Sequence, residues 1–143
     1  MIPVRRADLT EASTGELLMG VARDLRRAYA AALAPWDVTP AQTRALGMIC
    51  HHGPIRLSVL AEHLVIVPRS TTQVVDALEE RGLIERQPDP TDRRAITVAA
   101  TPEGVRLHEQ LHRVRDEASE ARFAALSDAD RAELERILRQ LLA

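Results

Sequence analysis

Residues 57–104 read LSVLAEHLVIVPRSTTQVVDALEERGLIERQPDPTDRRAITVAATPEG, and this stretch decides the fold. Leu60, Ala61 and Leu64 recur at helical spacing behind Ser58, which can cap a short helix. Val65-Ile66-Val67 makes a tight turn. Pro68 then suits the first position of a second helix, where its missing N–H would be unpaired anyway. That helix runs to Arg81 and stops at Gly82, a residue suited to the left-handed turn at a helix end. From 83 to 99 the period changes: Ile84 and Arg86, then Ile96 and Val98, alternate as in two strands. Between them lies Gln87-Pro88-Asp89-Pro90-Thr91-Asp92-Arg93-Arg94, rich in turn formers, so the strands close as a hairpin with a long tip. The bland alternative for this tip is a solvent-facing loop in which Asp89 and Asp92 balance the arginines.

Upstream, Thr39-Pro40-Ala41-Gln42 is a helix start, with Thr as N-cap and Gln three residues on. Leu46, Ile49 and Cys50 form its inner side, Gly53-Pro54 stops it, and Ile55-Arg56 is a short extended piece. Before it, Ser13 and Glu16 form a capping box. The helix they open carries Leu17, Val21, Leu25, Ala28 and Ala32 on one stripe and ends at Pro35. Residues 1–12 show no commitment. Downstream, Thr101-Pro102 opens a long helix with Val105, Leu111, Val114 and Ala118 on a stripe, ending near residue 125. Ser127-Asp128 caps a last helix bearing Leu134, Ile137, Leu138, Leu141 and Leu142. The expected architecture is mainly α with a small β-hairpin: a helix-turn-helix at 57–80 and a wing at 83–99, inside a core at 37–100. Helices at 13–35 and 102–143 flank that core in a single domain, 1–143.

The chain is 143 residues long, 45% apolar and 28% charged, which suits one soluble globular domain. Tyr29, Trp36 and Phe123 are its only aromatic residues, so the core must be aliphatic, which favours packed helices over a β-sandwich. Net charge is −2, and all 19 basic residues besides histidine are arginine. Such a chain does not coat DNA by bulk charge, but a few placed arginines can still make bidentate contacts. The lone Cys50 cannot form an internal disulfide, which fits a reducing compartment. Neither a membrane-spanning stretch nor a secretory apolar region after Arg5 and Arg6 is present, so the expected location is cytoplasmic, with no membrane partner. Phosphate-loop glycines, H-E-x-x-H and nucleophile-elbow patterns are all missing; an enzyme is not expected, nor a cofactor.

Residues 68–81, turned at about 100° per residue, divide into two faces. Thr71, Val74, Val75 and Leu78 lie on one. Arg69, Thr72, Gln73 and Asp76 lie on the other, with Ser70 and Ala77 at its edge. The second face suits a DNA major groove: Gln can bond adenine N6 and N7, and Arg can bond guanine O6 and N7. A hairpin tip with Arg86, Arg93 and Arg94 suits a minor groove, where narrowing concentrates negative potential. The two features in immediate succession are far more specific than either alone.

These features resemble the MarR (multiple antibiotic resistance regulator) family. The matching elements are L-x-x-L-A-x-x-L, the proline opening the second helix, V-x-x-L-E-x-x-G-L-I-x-R, the D-x-R of the wing and the later T-x-x-G. The resemblance implies a winged helix-turn-helix regulator with dimerisation helices from both chain ends. It implies a homodimer on double-stranded, near-palindromic DNA, acting as a repressor released by a small, aromatic effector. It also implies that Asp92 orients an arginine and that Arg94, with Arg93, enters the groove. Two positions depart from the usual pattern: Val65 stands where a turn glycine is common, and Val67 stands at the N-cap before the proline, which it cannot cap. Leu57–Gly104 carries five arginines against eight acids, so affinity depends on placement and on arginines elsewhere, with Arg5, Arg6, Arg44 and Arg56 as candidates.

Many family members bind aromatic acids in a cleft between the dimer helices and the winged domain, and Trp36, Met48 and His51 are candidates to line it. A zinc-sensing branch makes His108 and His112, four apart on one helix, the weak metal candidates. No third or fourth ligand accompanies them, so no metal is expected. A peroxide-sensing branch carries its cysteine on the first helix, whereas Cys50 ends the second on an apolar side, which favours an inert thiol. The alternatives to a DNA-binding repressor are a dimeric interaction module without DNA binding, suggested by the local acid excess, and a zinc-responsive regulator.

Overall fold

The computed structural model describes residues 9–64 and 68–143. The expected turn at Val65-Ile66-Val67 and the candidate arginines Arg5 and Arg6 lie outside the described residues. The chain runs α1 (Thr14–Leu33), a 3-10 turn (Ala34–Trp36), α2 (Pro40–His52), β1 (Ile55–Arg56), α3 (Leu57–Leu64), α4 (Pro68–Glu80), β2 (Ile84–Pro88), β3 (Ile96–Ala100), α5 (Pro102–Phe123) and α6 (Asp128–Leu142). It divides into two compact units, residues 33–114 and residues 1–32 with 115–143.

The first unit holds an entirely aliphatic core of Ala45, Leu46, Ile49, Ile55, Leu60, Leu64, Val75, Leu78, Leu83, Ile84 and Val98. Leu46 and Ile49 come from α2, Leu60 and Leu64 from α3, Val75 and Leu78 from α4, so three helices close on the sheet. Local signals set their ends. Thr39 accepts from the Gln42 amide at 3.1 Å while Gln42 accepts from the Thr39 amide at 3.2 Å, the reciprocal box expected of T-x-x-Q. Gly82 takes φ +71° after α4. There its amide donates to Glu79 O at 2.8 Å and the Leu83 amide donates to Leu78 O at 3.0 Å. These two bonds absorb the last helical carbonyls and turn buried Leu83 back onto Leu78.

The sheet order is β1-β3-β2, all antiparallel, with Ile84 opposite Ala100 and Pro88 opposite Ile96. β3 is central: Thr97 faces Gln87 on one side and Arg56 on the other. Two expectations are corrected here. Ile96 is exposed, because it pairs at the outer end of the hairpin, beyond the core; the buried pair on β3 is Thr97 and Val98. Ser58 lies inside the first turn of α3 rather than before it, because the helix begins at Leu57 directly after β1.

The T-x-x-G motif has a concrete cause. Thr101 N donates to Leu83 O at 3.0 Å, and Thr101 Oγ1 donates to Gly82 O at 2.6 Å. The same hydroxyl accepts from Gly104 N at 3.1 Å. Thr101 therefore starts α5 and ties it to the end of α4, and Gly104 passes close against Leu83.

In the second unit, Arg122 pairs with Asp24 at 3.2 Å, Arg131 pairs with Glu120, and Arg115 lies 4.9 Å over the Tyr29 ring. Leu17, Leu18, Met19 and Val21 on α1 and Ile137, Leu141 and Leu142 on α6 are exposed. The apolar stripe expected on α1 is thus partly uncovered in the single chain. Val105 on α5 is also exposed, while Leu111 on the same stripe is buried.

Candidate nucleic-acid interface

On α4, Thr71, Val75 and Leu78 are buried, and Arg69, Thr72, Gln73 and Asp76 are exposed. The helix carries no acid in its first turn and places Glu79 and Glu80 in its last. Among the described residues no acid offsets the positive N-terminal end of its dipole, whereas the acids at its other end oppose that dipole. Arg86, from β2, answers Glu79 together with Asp76 one turn earlier. Its guanidinium bonds the carboxylates of Asp76 and Glu79 and is half-buried between them. The Asp76 hydrogen bond first, then Glu79, holds Arg86 even more firmly charged than a free arginine. Arg86 and Asp76, both expected to meet DNA, are thus occupied with each other, in an ion pair that ties the hairpin to α4.

Arg93 and Arg94 are exposed on the hairpin tip, and neither guanidinium has an ion-pair or hydrogen-bond partner among the described residues. The backbone beneath them is hydrogen-bonded within the tip. The Arg94 amide donates to Asp92 Oδ1 at 3.0 Å, the Ala95 amide donates to Asp92 O at 3.0 Å, and the Asp89 amide donates to Ala95 O at 3.1 Å. Asp92 acts on Arg94 through its amide, not its guanidinium.

Asp89 does not fit the solvent-facing alternative, because the fold turns it inward. Its Oδ1 accepts from Thr91 N at 2.8 Å and Thr91 Oγ1 at 2.7 Å, and its Oδ2 accepts from Arg56 Nε at 2.5 Å. The Thr91 bonds first, then Arg56, hold the Asp89 carboxyl at about 2, below its ordinary 3.8. A carboxyl depressed on folding adds stability above its unfolded value and loses it as pH falls through the folded one. The anchor is therefore intact at neutral pH and dissolves between about pH 4 and pH 2. Asp89→Asn should accordingly lower stability near pH 6 and flatten its fall below about pH 4 in thermal melts. An acid limb identical to that of the native protein would rule the anchor out.

Sequence reasoning also missed Arg81. It donates to Asp37 O at 2.8 Å and to Trp36 O at 3.3 Å, joining the end of α4 to the connector before α2. A cavity of about 360 Å³ opens there, lined by Asp37, Thr39, Gln42, Ala77, Glu80 and Arg81 among others. Trp36, Met48 and His51 do not line it. His108 and His112 rings stack with centroids 6.3 Å apart, and no group of three or more candidate metal ligands occurs among the described residues. Burial first, then Glu109, pushes the Cys50 thiol up, which suppresses the reactive thiolate. No helix is long and apolar enough to cross a membrane among the described residues.

The MarR family model matches residues 38–96. A candidate transcriptional regulatory protein for the hcr operon of Thauera aromatica is 32% identical, over 94% of this chain and 86% of that relative. A cysteine-to-serine mutant of Escherichia coli MarR superposes with a TM-score of 0.86 at 28% identity, covering 92% of this chain and 98% of that one. The same mutant with operator DNA superposes at 0.74 and 28% identity, covering 90% and 93%. A Mycobacterium tuberculosis MarR family protein in complex with p-aminosalicylic acid superposes at 0.76 and 26% identity, covering 92% and 100%. The polar face of α4, the arginine-tipped hairpin behind it and these likenesses make one statement: this chain belongs to the MarR family of winged helix-turn-helix transcriptional regulators.

Proposed function

We propose that the chain is a homodimeric repressor that occupies a near-palindromic operator until a small aromatic ligand removes it. The observation that carries this reading is the pair of exposed guanidinium groups of Arg93 and Arg94, without partners among the described residues, on the internally bonded tip of the hairpin that follows α4. In this reading α4 lies in the major groove, where Gln73 bonds adenine, Arg69 bonds guanine, and Ser70 and Thr72 reach base edges or phosphates. Arg93 and Arg94 lie in the adjacent minor groove. Arg86 and Asp76 set the angle between wing and helix. Two-fold pairing through helices 13–35 and 102–143 would cover the exposed Leu17, Leu18, Met19, Ile137, Leu141 and Leu142. Operator DNA on E. coli MarR and p-aminosalicylic acid on the M. tuberculosis relative support the two partners. Trp36, Met48 and His51 remain the proposed ligand-lining residues. The ligand acts by favouring a dimer shape whose recognition helices no longer match the groove spacing.

Arg94→Ala tests the reading on an operator selected from genomic fragments with the native protein. Affinity by fluorescence anisotropy should fall about tenfold and the salt slope should shrink by about one. The thermal midpoint should stay put, because the side chain is exposed and makes no hydrogen bond or ion pair among the described residues. Unchanged affinity would remove Arg94 from the interface.

A further inference from the structure

We infer that Arg56 and Asp89 are a positioning pair: without touching DNA, they set the reach of the wing and keep its arginines available. The inference rests on the wing reading above and concerns residues that reading leaves unused.

The geometry is specific. Arg56 sits on β1 opposite Thr97, and Thr97 faces Gln87 on β2 from its other side. Arg56 therefore reaches across the central strand to the first residue of the tip, 33 positions along the chain. Asp89 is only 8% exposed and uses both carboxylate oxygens, one on Arg56 and one on Thr91. Arg56 Nη2 also lies 3.4 Å from Thr91 Oγ1, so the three side chains form one knot at the base of the tip. Everything beyond it, including Arg93 and Arg94, hangs from this point and from the bonds made by Asp92.

Charge gives the pair a second effect. Residues 89–94 contain two acids, Asp89 and Asp92, and two arginines, so the tip alone sums to zero. Adding Arg56 brings the sum to +1. With Arg56 satisfying Asp89, no buried carboxylate in the tip is left to capture Arg93 or Arg94. A locally acidic winged unit thereby presents two free cations at its point of contact.

The knot lies outside the aliphatic core, and Arg56 itself is 42% exposed in its side chain. Removing it should loosen the tip and leave the unit folded. The test uses full-length protein and the selected operator. Arg56→Gln should weaken binding about tenfold and speed amide exchange at Thr91 and Arg94 by about the same factor, while exchange at Ile49 is unchanged. Arg56→Lys should bring affinity back to within about threefold of native. In an Arg93→Ala/Arg94→Ala background, Arg56→Gln should change affinity less than about twofold, because the residues it positions are gone. Native-like affinity of Arg56→Gln, or the same loss in both backgrounds, overturns the inference. Native-like binding by the Arg93→Ala/Arg94→Ala protein instead overturns the wing reading, and this inference with it.

Discussion

Gly104→Ala should abolish or severely destabilise the winged unit. A Cβ at this position would lie 1.9 Å from Leu83 O, 2.9 Å from Leu83 C and 3.4 Å from Leu46 Cδ1. The first two are backbone atoms, so no rotamer change relieves the clash. Leu83 cannot retreat either. Its carbonyl accepts from Thr101, its amide donates to Leu78, and its side chain is part of the core. Ordinary over-packing costs about 1–3 kcal/mol; here two anchored backbones must separate, so the cost should reach or pass the top of that range. Against a total stability of about 5–15 kcal/mol, that should lower the thermal midpoint by about 10 °C or more. Circular dichroism melts read it directly. A midpoint within a few degrees of native would show that α5 can slide along the end of α4.

The second large effect should leave the fold intact and remove DNA binding. Gln73→Glu places a carboxylate on the exposed face of α4, in its first half. An acid there opposes phosphates and base acceptors alike, and like-charge juxtaposition at an interface costs several kcal/mol. Operator affinity should drop about a hundredfold, which corresponds to roughly 3 kcal/mol. Stability should move by no more than about 0.5 kcal/mol, and a carboxylate in the leading half of a helix does not oppose its dipole. Gln73→Ala, which removes the bidentate group without adding charge, should shift base preference more than overall affinity. Equal binding by Gln73→Glu and native protein would place the DNA on another face.

What was legible from the chain follows the range of the interactions. Capping boxes, the Gly82 stop and the two faces of α4 are set by residues within a few positions of one another, and periodicity exposes them. T-x-x-G was visible as a pattern, but its cause was not: the clash partner of Gly104 is a carbonyl twenty-one positions earlier. Arg56 and Asp89 meet only because β3 lies between β1 and β2, a strand order that alternation does not reveal. The same limit explains Arg86. Its place in the motif was evident, yet nothing local showed that Asp76 and Glu79 on the preceding helix already engage it. Ile96 shares a face with buried Val98 and is still exposed, because burial depends on where the core stops rather than on alternation alone.

The Arg81 clasp has a practical meaning for watching this regulator at work. The guanidinium at the end of α4 holds the carbonyls of Trp36 and Asp37, and Trp36 is the only indole in the chain. A shift of that helix end pulls on the backbone that carries the indole, with no second tryptophan to blur the signal. Native tryptophan fluorescence should therefore follow the junction between α4 and the connector without an introduced label.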